Sequence, residues 1–202
     1  MSDREILIEI MKGEKPLKDE FTIYTGDVRT FQFLRTDGKK FMEENSLGGG
    51  NLAIALISVT VLGLIAKTYV ILADKVCMNS QGDINETDAI QKLLRAKVNN
   101  WNYSDKQILE FWKRIRHRLI HVAFPKAKIV PDEASTYIEL QNKIITEKQN
   151  PFSFDSKDVL WVNCDVLWYW TMEIRKQIIT DLENNEYTDE KIKEAIKFIK
   201  SK

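Results

Sequence analysis

The stretch from Leu47 to Ala66, LGGGNLAIALISVTVLGLIA, holds no Asp, Glu, Lys or Arg. An uncharged run of that length admits two folds: a membrane-spanning helix, or a central helix buried on most sides by its neighbours. The glycines at 48–50 belong in a turn; Asn51, Ser58 and Thr60 dilute the rest, and Lys67 and Asp74 interrupt its extension. The expectation is therefore a core helix from Asn51 to about Cys77, and no role in a membrane. The remaining composition suits packing around it. The 202 residues are 44% hydrophobic and 30% charged with zero net charge, which fits one domain, 1–202, and leaves any case for an anionic partner to local charge. Four prolines and eight glycines are few for a turn-rich β protein. Cys77 and Cys164 are too few for a disulfide framework, and the charged start Met1–Glu5 lacks the apolar core of a signal peptide, so a cytoplasmic location is expected.

Local signals lay out the other elements. Ser2 opens a helix with Ile6, Leu7, Ile10 and Met11 at helical spacing. A second helix is expected from about Asp27 to Asn45, anchored by Phe31, Leu34, Phe41 and Met42, with Gly38 weakening its middle. Asn85 or Thr87 can cap a helix carrying Ile90, Leu93, Leu94 and Val98. Ser104 and Gln107 form a capping box, and Pro125 closes the helix it opens. Tyr137–Leu140 and Lys143–Thr146, separated by Gln141-Asn142, read as a β-hairpin. A Trp-rich helix is expected from Asp158 to about Asn184, and Thr188 caps a last one with Ile192, Ala195, Ile196 and Ile199 inward. The fold class is mostly α: a helical bundle with a small β-hairpin inserted after the helix that Ser104 opens.

That helix carries the chain's only histidines, His117 and His121. From Phe111 to Pro131 there are six cations (Lys113, Arg114, Arg116, Arg118, Lys126 and Lys128) and no Asp or Glu. On a wheel of about 100° per residue, Ile108, Trp112, Ile115, Leu119 and Val122 share the core face. Glu110, Lys113, Arg114, His117 and His121 share the opposite one. Arg116 alone falls inside the apolar arc, where a guanidinium needs a partner or a route to the edge for its charge.

The string Arg116-His117-Arg118-Leu119-Ile120-His121, followed by Phe124-Pro125-Lys126, resembles the signature of the HEPN superfamily: Arg, a polar residue, three variable residues and His on a helix of an α-helical bundle. The likeness in helix order covers about residues 20–126 and extends to the Trp-rich helix at 158–184. The hairpin region 127–156 and the last helix, 188–201, stand as additions. The resemblance implies a homodimer in which two copies pool Arg116 and His121, with His117 in support, into one metal-free RNA-cleaving site. Such chemistry is sound for these groups: imidazole moves protons near neutral pH, and arginine holds phosphate oxygens with a forked, permanent charge. Lys113, Arg114, Arg118 and Lys126 would hold the RNA backbone. Two departures stand out. The position two after the histidine, often Tyr in toxin-like members, is Ala123, and Arg116 and His121 lie about 140° apart on an ideal helix.

Rival readings concern the same residues. Glu110, His117 and His121 share a face and could bind a metal, but the flanking cations repel one; no metal and no cofactor are expected. The tryptophans Trp161, Trp168 and Trp170 are assigned to core packing or a dimer face rather than to stacking on bases. The alternative to a ribonuclease is a non-catalytic helical dimer that binds RNA, a nucleotide or a protein partner through the same basic face. A cognate antitoxin or other partner protein is the further expectation for a toxin-antitoxin or defence role.

Overall fold

The computed structural model describes residues 1–12, 28–34, 36–38, 40, 50–98, 103–117, 127–132, 136, 138–140, 142 and 150–201, with His117 described in its backbone alone. The described elements are mostly helical, with one small three-stranded sheet. They comprise α1 (Asp3–Lys12), α2 (Asn51–Leu72), α3 (Glu86–Lys97), α4 (Asp105–Trp112) running into a π-helical turn (Lys113–His117), β1 (Ala127–Val130), β2 (Phe152–Phe154), β3 (Leu160–Asn163), α5 (Cys164–Glu183) and α6 (Asp189–Lys200). Residues 28–34 are also helical.

The uncharged run becomes α2. Gly50 precedes it with φ +68°, and a Cβ there would meet the Phe31 ring at 2.5 Å, so the last of the three glycines at 48–50 fills a place closed to any other residue. By length and composition α2 could cross a membrane (mean hydropathy 2.1), and 72% of that apolar window is buried inside the protein. Its buried hydroxyls are satisfied within the helix: Ser58 donates to the Ile54 carbonyl at 2.7 Å and Thr68 to that of Leu64 at 2.9 Å. The helix stops at Leu72, short of Cys77. Asp74 turns left-handed at φ +52°, and the N–H groups of Asp74 and Lys75 bond back to Ile71 and Val70. The second helix also departs from expectation, because residues 36–38 form a turn in which the Thr36 hydroxyl donates back to the Gln32 carbonyl at 3.0 Å. Phe41 and Met42 lie outside the described residues.

Two compact units are built from non-contiguous segments. The first takes the described residues of Met1–Thr22, Thr60–Glu110 and Met172–Lys202. Here α1 packs on α6, whose Ile192, Ala195 and Ile196 are buried as its spacing requires. Arg4 ties the two ends of the chain: its guanidinium donates to the carbonyls of Leu182 and Tyr187, both at 2.9 Å, and to the Asp189 carboxylate at 3.2 Å. Asn85 caps α3 and Thr188 caps α6.

The second unit takes the described residues of Ile23–Val59 and Phe111–Thr171 and holds the sheet. Its strand order is β1-β3-β2, with β1 parallel and β2 antiparallel to β3. Phe152, Leu160 and Val162 are buried on the inner face, where Phe152 stacks on Phe111 at 4.2 Å with the rings 5° from parallel.

This sheet corrects two expectations. Residues 138–140 are helical, not a strand. The Thr136 hydroxyl accepts the Glu139 N–H at 3.1 Å and its carbonyl accepts that of Leu140 at 3.0 Å. A strand would put Ile138 and Leu140 on one face, yet Ile138 is 72% exposed while Leu140 is fully buried beside Val166. The second expected strand, Lys143–Thr146, lies outside the described residues. The hairpin that does form is β2–β3, further along. It takes the first residues assigned to the Trp-rich helix, because Leu160 and Val162 bury at period two and Asp158 is left-handed at φ +57°. The helix begins instead at Cys164, where the Asn163 side chain accepts the N–H groups of Asp165 at 3.1 Å and Val166 at 3.2 Å.

Candidate functional site

The capping box forms as expected at the head of the histidine helix: Gln107 Oε1 accepts the Ser104 N–H at 2.9 Å, and Ser104 Oγ accepts the Gln107 N–H at 3.3 Å. Ile108, Phe111, Trp112 and Ile115 are buried, which fixes the rotation of the helix through its first turns. Then the hydrogen bonding changes. Lys113–His117 is a π turn, with bonds running from each residue to the fifth along. Such a turn takes in one residue more than an α turn, so the residues within it depart from the ideal 100° wheel.

The candidate residues fall as follows. Lys113 is exposed and Arg116 half-buried, the latter in keeping with its place in the apolar arc. His117 belongs to the π turn by its backbone. His121, Arg118 and Lys126 lie outside the described residues, so their distances from Arg116 are not part of this structure.

Arg114 is held by the β2–β3 hairpin. One guanidinium nitrogen donates to the Asp158 carbonyl at 2.6 Å, another pairs with the Asp158 carboxylate, and the group sits 5.4 Å from the Phe154 ring centre. With the Phe111–Phe152 stack, this fastens the π turn to the inner face of the sheet. The hairpin turn is itself rigid. Asp155 accepts the N–H groups of Lys157 at 2.8 Å and Val159 at 3.0 Å, and the Trp161 indole N–H at 3.2 Å. These bonds, the Val159 one foremost, hold the Asp155 carboxyl below the usual aspartate range.

Three features were not read from the sequence. One is a polar knot in the second unit. The fully buried Asp165 carboxyl accepts Gln32 Nε2 at 2.8 Å and the Asp132 N–H at 2.9 Å, and Asn163 Nδ2 donates to the Asp132 carboxyl at 3.3 Å. Its members come from segments up to 133 positions apart, so no local pattern announces it. Another is a cavity of about 570 Å³ in the first unit, lined by Tyr69, Lys97, Asp181, Tyr187 and Lys191 among others. Its charges serve each other: Lys97 pairs with Asp181, the Tyr187 hydroxyl donates to Asp181 at 2.8 Å, and Lys191 pairs with Asp74 at 2.9 Å and Glu194 at 3.0 Å. Burial, then the Asp181 hydrogen bond, pushes the Tyr187 phenol well above the usual tyrosine range. Bonds to Asp74 and Glu194 hold the Lys191 ammonium above the usual lysine range.

The last feature is the outer face of the sheet. Register aligns Lys128, Trp161 and Ser153 across the three strands. Lys128 and Ser153 are exposed, Trp161 is partly exposed, and Lys128 Nζ lies 4.2 Å from the centre of the Trp161 ring. Trp161 is therefore not a helical core residue, as its place in the Trp-rich run had suggested. Trp168, from the same run, is buried.

Among the described residues no three His, Cys, Asp or Glu side chains gather in metal-binding geometry; the set Glu110, His117 and His121 falls partly outside them. In class, the described residues define a mostly helical protein with a small mixed sheet. No family model, no curated protein and no solved structure matches the chain.

Proposed function

We propose that this protein is a metal-independent endoribonuclease of the HEPN type, acting as a homodimer in the cytoplasm. Arg116 and His121 form the core of the site, with His117 in support and Lys113, Arg118 and Lys126 along the RNA backbone. The observation that carries the reading is the π turn at Lys113–His117, whose last two residues, Arg116 and His117, open the motif. Such turns are rare and gather at functional sites.

In the reaction, the substrate's 2′-oxygen attacks the adjacent phosphorus as an imidazole takes its proton. The bond from phosphorus to the 5′-oxygen breaks as that oxygen gains a proton from a second acid. The products end in a 2′,3′-cyclic phosphate and a 5′-hydroxyl. Two copies of His121 supply base and acid, and Arg116 stabilises the charge that grows on the phosphorane oxygens.

The test is incubation of purified protein with single-stranded RNA in excess chelator, with detection of cyclic-phosphate ends. Activity lost in both Arg116→Ala and His121→Ala supports the reading, as does a dimer by sedimentation. Activity unchanged in both variants overturns it. RNA bound without cleavage by the wild type assigns the basic face to a binding module instead.

A further inference from the structure

We infer that the outer face of the three-stranded sheet is a stacking platform for a base of single-stranded RNA, with Trp161 as its floor and Lys128 as its phosphate contact. The inference rests on the ribonuclease reading for its ligand and names the form of that ligand. Alternation places Phe152, Leu160 and Val162 inward, which leaves Lys128, Trp161 and Ser153 as a row on the other side. An indole on the outward side of a strand is an unusual use of the chain's bulkiest apolar residue.

The ring is held in place before any ligand arrives. Its N–H is fixed by Asp155 at 3.2 Å, and that carboxyl is itself anchored by the N–H groups of Lys157 and Val159. The Lys128 ammonium lies over one face of the ring, 4.2 Å from its centre, on a flexible stem. A flat base can take that place. The displaced ammonium then swaps the ring for the phosphate of the same nucleotide, so the cation keeps a partner throughout.

Charge selects the occupant. β1 ends a segment, Phe111 to Pro131, that carries six cations and no carboxylate. Stacking selects the strandedness, since only an unpaired base offers its face to an aromatic side chain. The inner face of the sheet packs on α4 through Phe111 and Phe152, so the platform is on the face of the sheet turned away from that helix.

The test compares wild type, Trp161→Ala, Trp161→Phe and Trp161→Leu in binding a labelled 2′-O-methyl oligouridylate, which cannot be cleaved. Loss of one stacked base should weaken binding about 5- to 100-fold in Trp161→Ala. Trp161→Phe should recover most of the affinity. Trp161→Leu, which keeps apolar bulk without a π face, should not, so that misfolding of the alanine variant does not decide the matter. KM for cleavage of a long strand should rise in the alanine and leucine variants. Equal affinities across the set overturn the platform. Failure of the wild type to bind the oligouridylate also overturns it. A wild type that binds in a Trp161-dependent way but never cleaves leaves the platform standing and removes the nuclease. A wild type that cleaves with no dependence on Trp161 does the reverse.

Discussion

Replacing Arg114 separates a clamp from an RNA contact. The guanidinium donates to the Asp158 carbonyl at 2.6 Å, pairs with its carboxylate and lies 5.4 Å from the Phe154 ring centre. The Asp158 side chain is 72% exposed, so solvent screens the ion pair to about 0.5–1 kcal/mol. The bond to the carbonyl contributes about 1 kcal/mol and the ring contact about 0.5–1 kcal/mol. Arg114→Ala should therefore lower unfolding free energy by about 2–3 kcal/mol in urea titrations followed by circular dichroism. Asp158 offers a control, because its φ of +57° costs an L-residue about 1–2 kcal/mol. Asp158→Gly loses the carboxylate but relieves that strain and should be close to neutral, whereas Asp158→Ala should cost more. The Arg114–Asp158 coupling in a double-mutant cycle should shrink in 1 M salt, where the screening length is about 3 Å. RNA binding completes the separation. A single phosphate contact adds about 0.7 to the slope of log K against log salt for single strands. Lys113→Ala should lose that increment and Arg114→Ala should not. A lost increment in Arg114→Ala, with a stability cost under about 1 kcal/mol, would refute the clamp.

Two further outcomes follow from buried polar groups. Asp165→Ala leaves Gln32 Nε2 and the Asp132 N–H without their acceptor; at about 1–3 kcal/mol for each buried orphan, it should cost about 2–6 kcal/mol by chemical denaturation, with Asp165→Asn intermediate, and a cost under about 1 kcal/mol would count against the knot. Tyr187, raised above the usual tyrosine range by burial and Asp181, keeps its proton in the folded state after the unfolded chain has released its own at about pH 10. Its contribution is thus complete below that pH and declines above it until the folded phenol ionises. Absorbance titration at alkaline pH should show one tyrosine that fails to ionise until the protein unfolds, and Tyr187→Phe should remove that lagging step.

What the sequence disclosed follows the range of the forces concerned. Ser104 with Gln107, Asn85 and Thr188 all cap where expected, because a cap is settled within three or four residues. The uncharged run is a helix with most of its window buried, because its composition left few options. The errors sit where a distant partner decides. Leu160–Asn163 alternates for only four residues and is a strand because β1 and β2 flank it. Leu140 closes a helical turn because Thr136 supplies a cap and Val166 a place to bury. At the motif the same principle has its largest consequence. Buried residues set the rotation of α4 as far as Trp112, and there the 3.6-residue wheel serves. Arg114, however, is held by Asp158, 44 positions away, and the helix around it is a π turn that no local propensity specifies. A wheel drawn straight through Lys113–His117 therefore applies an α-helical step to a turn that does not have it.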